Sequence, residues 1–112
     1  MPKTGISPTI SAEFTHEAVA IPVTDTAVEV VFDDNVTKLT INSPTIDLWA
    51  CKTELGATTP TTGGLNSRFW IPGGLYTFVI KEWAGSSIWI VNKVSGEVAT
   101  AAADLIYIGG ER

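Results

Sequence analysis

The chain has 112 residues, the size of one domain, and its 7 basic and 12 acidic side chains give a formal net charge of −5 at pH 7. This excess of acid argues against binding to nucleic acids or to anionic membrane surfaces, because both require clustered lysine and arginine. The single cysteine, Cys51, excludes an intramolecular disulfide, and no run of about 20 apolar residues is present to span a bilayer.

Short β-branched and aromatic runs dominate the sequence, and glycine, proline, asparagine, aspartate and serine separate them. No window of 11 or more residues has apolar positions at helical spacing. Residues 1–8, which contain two prolines and a glycine, predict a flexible arm. A weak strand is expected at 10–14 and another at 18–23, where Pro22 favours an edge position.

The next three predicted strands, at 27–32, 36–41 and 45–51, alternate between aliphatic or aromatic positions on one face and more polar positions on the other, and turns separate them. A period of two places alternate side chains on opposite faces of a sheet, so one face of each strand is expected to be buried. On the opposite face, Trp49 is predicted to point away from the core. The predicted inward positions are Val28, Val30, Phe32, Leu39, Ile41, Ile46, Leu48 and Ala50.

Residues 52–66 are rich in threonine and glycine and form the longest predicted loop, at about 15 residues; loops of that length are usually functional or mobile. The strands predicted after it are 68–71, 75–81, 87–92, 97–100 and 105–108, followed by a short tail, GGER. Eight or nine short strands predict one all-β domain over residues 9–112. We expect an antiparallel β-sandwich of the jelly-roll type without a substantial helix, and a partly open barrel is the alternative.

Several predicted strands are apolar on both faces; in SIWIVN, for example, Ile88 and Ile90 oppose Trp89 and Val91. A soluble sheet needs only one apolar face, so something must cover the other. Either a loop or the N-terminal arm covers it, or at least one tryptophan anchors a protein–protein contact. We expect Trp89 to be core and Trp83 to be exposed. The protein-interface candidates are Trp49, Trp70, Trp83 and Trp89.

A carbohydrate-stacking platform is a further interpretation of the tryptophans. Aromatic rings on a β-sandwich can cover the faces of sugar rings, provided that polar side chains nearby bind the hydroxyl groups. Asp47 and Arg68 are the candidates for that second role.

The sequence argues against catalysis and against metal binding. His16 is the only histidine, and no G-x-S-x-G nucleophile elbow is present. Cys51 is interpreted as a buried, inert thiol, and one histidine with one cysteine disfavours zinc. The acidic segment 33–35 is typical of a turn, and the glycine pairs make no phosphate-binding loop. We therefore expect no catalytic, cofactor-binding or metal-binding residue.

The order of several segments resembles that of a known group of proteins. The segment TAVEVVFDDNVTKLTINSPT is followed by TIDLWAC, a long polar loop, WIPGGLYTFVI, SSIWIVNKVSG and DLIYIGG. Three short motifs lie within these segments: a P-G-x-x-x-x-F turn from Pro72 to Phe78, an I-W-I strand centred on Trp89, and an S-G-x-V hairpin from Ser95 to Val98. Over residues 18–108 this order resembles the small β-sandwich virion proteins of tailed bacteriophages, among them the capsid decoration proteins, also called cement or staple proteins.

The resemblance implies a non-enzymatic virion structural protein that binds the outside of a phage head and bridges major capsid subunits. It implies a homo-oligomer, a dimer or a trimer, on the capsid surface, with no cofactor and no contact with nucleic acid or membrane. Residues 1–10 lack the apolar region of a signal peptide, which agrees with synthesis in the host cytoplasm. Related sandwiches form head fibres and tail tips, so a carbohydrate- or receptor-binding domain is the alternative.

Overall fold

The computed structural model describes residues 9–10, 13–32, 36–59, 68–79 and 87–111, with the backbone alone at 9–10, 13–16, 76 and 78–79. The predicted arm 1–8, the acidic turn 33–35 and Trp83 lie outside the described residues.

The described residues form nine short strands and one helix of five residues. In chain order these are β1 (Thr9–Ile10), β2 (Glu13–Val19), β3 (Val28–Phe32), β4 (Lys38–Ser43), β5 (Leu48–Cys51), α1 (Glu54–Thr58), β6 (Phe69–Ile71), β7 (Gly74–Val79), β8 (Ser87–Asn92) and β9 (Ile106–Glu111). The predicted all-β fold with eight or nine strands is confirmed.

The strands are arranged in two sheets, one in the order β1-β3-β8-β5-β6 and the other in the order β2-β9-β4-β7. Antiparallel pairs join β2 to β9, β3 to β8, β4 to β7 and β5 to β6, so that the chain pairs from its ends towards its middle. This is one long hairpin rolled into two sheets, which is the jelly-roll topology. Strand β1 adds a short parallel pair beside β3.

The core lies between the two sheets and consists of the side chains that alternate inward along each strand. All eight predicted inward positions belong to it, which confirms the period-two assignment. Ile88 and Ile90 of β8, Ile71 of β6, and Ile106 and Ile108 of β9 complete the facing layers. Burying each of these aliphatic side chains contributes about 1.5–3 kcal/mol to folding.

The first part of the chain differs from the prediction. One strand, β2, spans Glu13–Val19 where two separate strands were expected at 10–14 and 18–23. The register of β2 with β9 shifts between Glu13 and His16. This irregularity interrupts the regular alternation of inward and outward positions on which the prediction from sequence depends. Strand β2 lies at the end of its sheet, in agreement with the edge position that Pro22 favoured, although Pro22 itself follows the strand.

The end of the chain also differs. Residues 97–100 do not form a strand, and only Ala99 pairs, in an isolated bridge with Ile21. Strand β9 instead continues through Gly109 and Gly110 to Glu111, residues assigned from sequence to a tail. Because β9 lies between β2 and β4, the ladder hydrogen bonds on both its edges outweigh the low strand propensity of glycine.

The predicted loop 52–66 begins with a helix, which corrects the expectation of irregular structure there. In α1, the side-chain oxygen of Thr53 accepts a hydrogen bond from the Gly56 amide at 3.0 Å, a standard N-cap. Five residues are too few to show a helical period in the spacing of apolar positions, so the sequence does not predict this helix.

Two leucines give a matched test of the core. We expect Leu48→Ala, at a fully buried position, to lower the free energy of unfolding by about 2–5 kcal/mol because it leaves a cavity. Leu55→Ala removes the same atoms where the side chain is 57% exposed, and it should change stability by less than about 0.5 kcal/mol. Urea denaturation of both variants measures the difference, and equal losses would contradict the assigned core.

Candidate functional site

The outer face of the five-stranded sheet carries a second apolar cluster. Cys51 of β5 and Val91 of β8 are buried there with Ala27, and Ala57 of α1 packs over them. The helix at the start of the predicted loop therefore covers part of this face, which agrees with the interpretation that a loop covers the second apolar face of the sheet.

The described tryptophans all lie on this outer face, but they are covered to different extents. Trp49 and Trp89 are half-buried against the second cluster, whereas Trp70 is 52% exposed. Trp89 was expected in the core; it lies on the opposite side of β8, because Ile88 and Ile90 take the positions between the sheets. Trp49 and Trp70 are register partners on β5 and β6, so their side chains are neighbours on one surface.

Two cationic side chains converge on these indoles. The guanidinium carbon of Arg68 lies 4.1 Å from the centroid of the Trp49 ring. The amine of Lys93 lies 5.1 Å from the Trp49 ring and 5.4 Å from the Trp70 ring. All three distances are within the range of cation–π attraction. We call Trp49, Trp70, Arg68 and Lys93 the cation–tryptophan surface.

Arg68 is held at both sides of its guanidinium group. Besides facing Trp49, its Nη1 donates a hydrogen bond to the Ala57 carbonyl at 3.2 Å, near the end of α1. This bond satisfies a helix carbonyl that has no partner within the helix. Arg68, directly before β6, therefore contacts both α1 and the Trp49 ring, and these two contacts restrict its side chain.

A cleft of about 200 Å³ lies beside Trp49. It is smaller than the 300–1,000 Å³ pockets that enclose drug-sized ligands, so it suits one side chain or one sugar ring. The cleft is lined by Asp25, Trp49, Ala57, Thr58, Arg68, Val91, Asn92, Lys93 and Ser95.

One wall of the cleft is built by a buried asparagine. Asn92 accepts a hydrogen bond from the Asp25 amide at 2.7 Å, and its Nδ2 lies 3.0 Å from Asp25 Oδ1 and 2.8 Å from the Val94 carbonyl. Ser95 donates to the other Asp25 oxygen at 2.9 Å. These bonds hold Asp25 in a left-handed conformation, with φ of 60°, and they join the loops that follow β2 and β8.

Asn92 and Asp25 were not predicted as site residues, although the sequence pattern contains a signal for Asn92. Asn92 continues the inward alternation of Ile88 and Ile90, and it is 3% exposed. A polar residue at an inward position must find hydrogen-bond partners, so it is a candidate for the centre of a network.

The two residues proposed to bind sugar hydroxyls have different positions. Arg68 lines the cleft beside Trp49. Asp47 is not part of that lining; its Oδ1 accepts a hydrogen bond from the Gly73 amide at 2.6 Å and so holds the turn between β6 and β7. The structure therefore brings one of the pair to the cleft.

Among the described residues, no group of three or more histidine, cysteine, aspartate and glutamate side chains is placed to hold a metal ion. Cys51 is buried, with its sulfur 3.7 Å from Thr53 Oγ1. None of the described helices has the length and apolar character needed to cross a membrane. Comparison of the chain with protein-family models, curated proteins and solved structures gave no match.

The asparagine network predicts a measurable difference between two alanine substitutions. Asn92→Ala removes the partners of Asp25 and Val94, and we expect it to lower the free energy of unfolding by about 1–3 kcal/mol. Thr45→Ala, at an exposed position between β4 and β5, should cost less than about 0.5 kcal/mol. Chemical denaturation of both variants is the measurement, and an Asn92→Ala protein as stable as the wild type would contradict the role of the network.

Proposed function

We propose that this chain is a non-enzymatic virion structural protein, a capsid decoration protein that binds the outside of a phage head and bridges major capsid subunits. The observation that carries the proposal is Trp70, half exposed on a sheet face next to Trp49 and flanked by Arg68 and Lys93. Tryptophan and arginine are the residues most enriched at the centres of protein–protein interfaces. The resemblance of the segment order to that of small β-sandwich phage virion proteins supports the capsid as the partner.

The exposed indole supplies binding energy at low entropic cost. A tryptophan side chain buries 150–250 Å² in an interface, and covering the exposed half of Trp70 would contribute roughly 2–3 kcal/mol. Because Trp70 belongs to β6 and pairs with β5, its backbone is already fixed. A standard interface of about 800 Å² on each partner then needs few further anchors.

Bridging requires a second contact surface, and the opposite sheet provides a candidate. Tyr107 of β9 and Leu75 of β7 both pair in register with Asn42 of β4, so the three side chains form one row. Leu75 is 72% exposed and Tyr107 is 40% exposed. We propose that this row contacts a second copy of the chain, in keeping with a homo-oligomer on the capsid surface.

The jelly-roll fold is compatible with this function but does not decide it. Jelly rolls occur in viral capsid proteins, and also in lectins and cupins. One fold hosts many functions, so the residues of the outer face carry the assignment.

A carbohydrate- or receptor-binding domain of a tail tip or head fibre is the second candidate. The cleft beside Trp49 favours it, since an indole, a guanidinium group and the Asn92–Asp25 wall surround a volume that suits one sugar ring. A glycan array separates the two proposals, because a sugar-binding domain gives specific hits and a decoration protein gives none.

Binding to capsids tests the main proposal. The purified protein is mixed with heads assembled from the major capsid protein of the same genome, and the bound fraction is measured by sedimentation. We expect saturable binding, and we expect Trp70→Ala to weaken it at least about tenfold.

Leu55→Ala is the control for that experiment, since Leu55 of α1 is 57% exposed but lies outside the cation–tryptophan surface. It should bind within about twofold of the wild type, as expected for a residue outside the contact. The proposal is wrong if the wild-type protein does not bind heads, or if Trp70→Ala binds as well as Leu55→Ala.

A further inference from the structure

Arg68 and Lys93 form a local positive site on an acidic protein. The chain carries a net charge of −5. Among the described residues, the cleft lining holds two cations and one carboxylate, Asp25, which gives a formal charge of 2 − 1 = +1. A net positive cleft on a negatively charged molecule favours an anionic ligand, since local positive charge raises the local concentration of anions.

The two cations are not neutralised by the described part of the protein. Lys38, on the other sheet, forms an ion pair with Glu111 at 3.4 Å. Neither Arg68 nor Lys93 has such an ion pair with a carboxylate in the described ranges. Asp25, the acidic residue of the lining, already accepts hydrogen bonds from the Asn92 and Ser95 side chains.

We propose that the cation–tryptophan surface recognises an acidic segment of a partner protein, with one carboxylate side chain in the cleft between Arg68 and Lys93. This inference rests on the proposed binding function and names the chemistry of the partner. Arginine binds carboxylate with two parallel hydrogen bonds, and the bond to Ala57 leaves most of the Arg68 donors for a ligand. The exposed face of Trp70 covers the apolar part of the same segment.

Preorganisation favours this ligand further. Arg68 is held by the Trp49 ring and by α1, and Lys93 lies near both indoles, so neither cation must lose much freedom on binding. The 200 Å³ cleft admits a glutamate or aspartate side chain, while a long polyanion such as a nucleic acid meets the negative charge of the rest of the chain.

The test uses three probes: hexaglutamate, its neutral isostere hexaglutamine, and glucuronic acid. Binding of each probe is measured from changes in the tryptophan indole signals in two-dimensional NMR spectra. We expect hexaglutamate to shift the Trp49 and Trp70 indole signals and to bind more weakly at high salt, whereas hexaglutamine leaves them unchanged. Arg68→Gln and Lys93→Gln should each weaken hexaglutamate binding at least about threefold, the effect of losing one exposed charge pair.

Lys38→Gln is the matched control, because it removes the same charge from the opposite sheet and should leave hexaglutamate binding within about 1.5-fold. The inference is overturned if hexaglutamate and hexaglutamine act alike, if glucuronic acid alone binds, or if Lys38→Gln weakens binding as much as Lys93→Gln. Should Arg68→Gln fail to fold, Lys93→Gln decides the outcome. If the protein binds phage heads but not hexaglutamate, only the inference of an acidic partner segment is wrong. If it binds hexaglutamate but not phage heads, only the proposed capsid function is wrong.

Discussion

Strands β5 and β8 lie inside the five-stranded sheet and carry apolar side chains on both faces, and the rest of the structure depends on how the outer face is covered. The inner face packs against the other sheet. The outer face is covered by α1, whose five residues extend only about 7.5 Å. The five strands of this sheet span about 19 Å between their outermost axes, so one short helix cannot cover them. Trp49 and Trp89 remain half-buried as a result, and Trp70 on β6 is exposed.

Arg68 and Lys93 lie next to the part of the outer face that α1 does not cover, and they have two roles there. The aliphatic stems of arginine and lysine pack on apolar surface while their charged groups stay in water, so they keep an exposed indole compatible with solvent. Arg68 also completes the hydrogen bonding of α1 through the Ala57 carbonyl. The same residue therefore stabilises the helix and covers the Trp49 ring. If the proposed acidic partner binds there, folding and recognition depend on one set of contacts.

The alternating pattern was sufficient to predict the core and the outward direction of Trp49, because burial between two sheets imposes a strict period of two. The same rule could not reveal α1, which is shorter than two helical turns, or the strand through Gly109, which is stabilised by neighbouring strands. It also could not show that Arg68 reaches the Trp49 ring. That contact depends on which strands are neighbours in the sheet and on how far the arginine side chain extends. Neither can be derived from the spacing of residues in the sequence.

The geometry of the rings bears on which of the two proposed partners fits better. A sugar-stacking site needs an indole face open to solvent, and the Arg68 guanidinium at 4.1 Å already occupies space over Trp49. Trp70 offers the more open ring, but Lys93 lies 5.4 Å from its centre. Cations held over both rings favour a ligand that brings negative charge together with apolar area. An acidic protein segment has both properties, whereas a neutral sugar would have to displace the cations from the rings and would gain no charge pair in return.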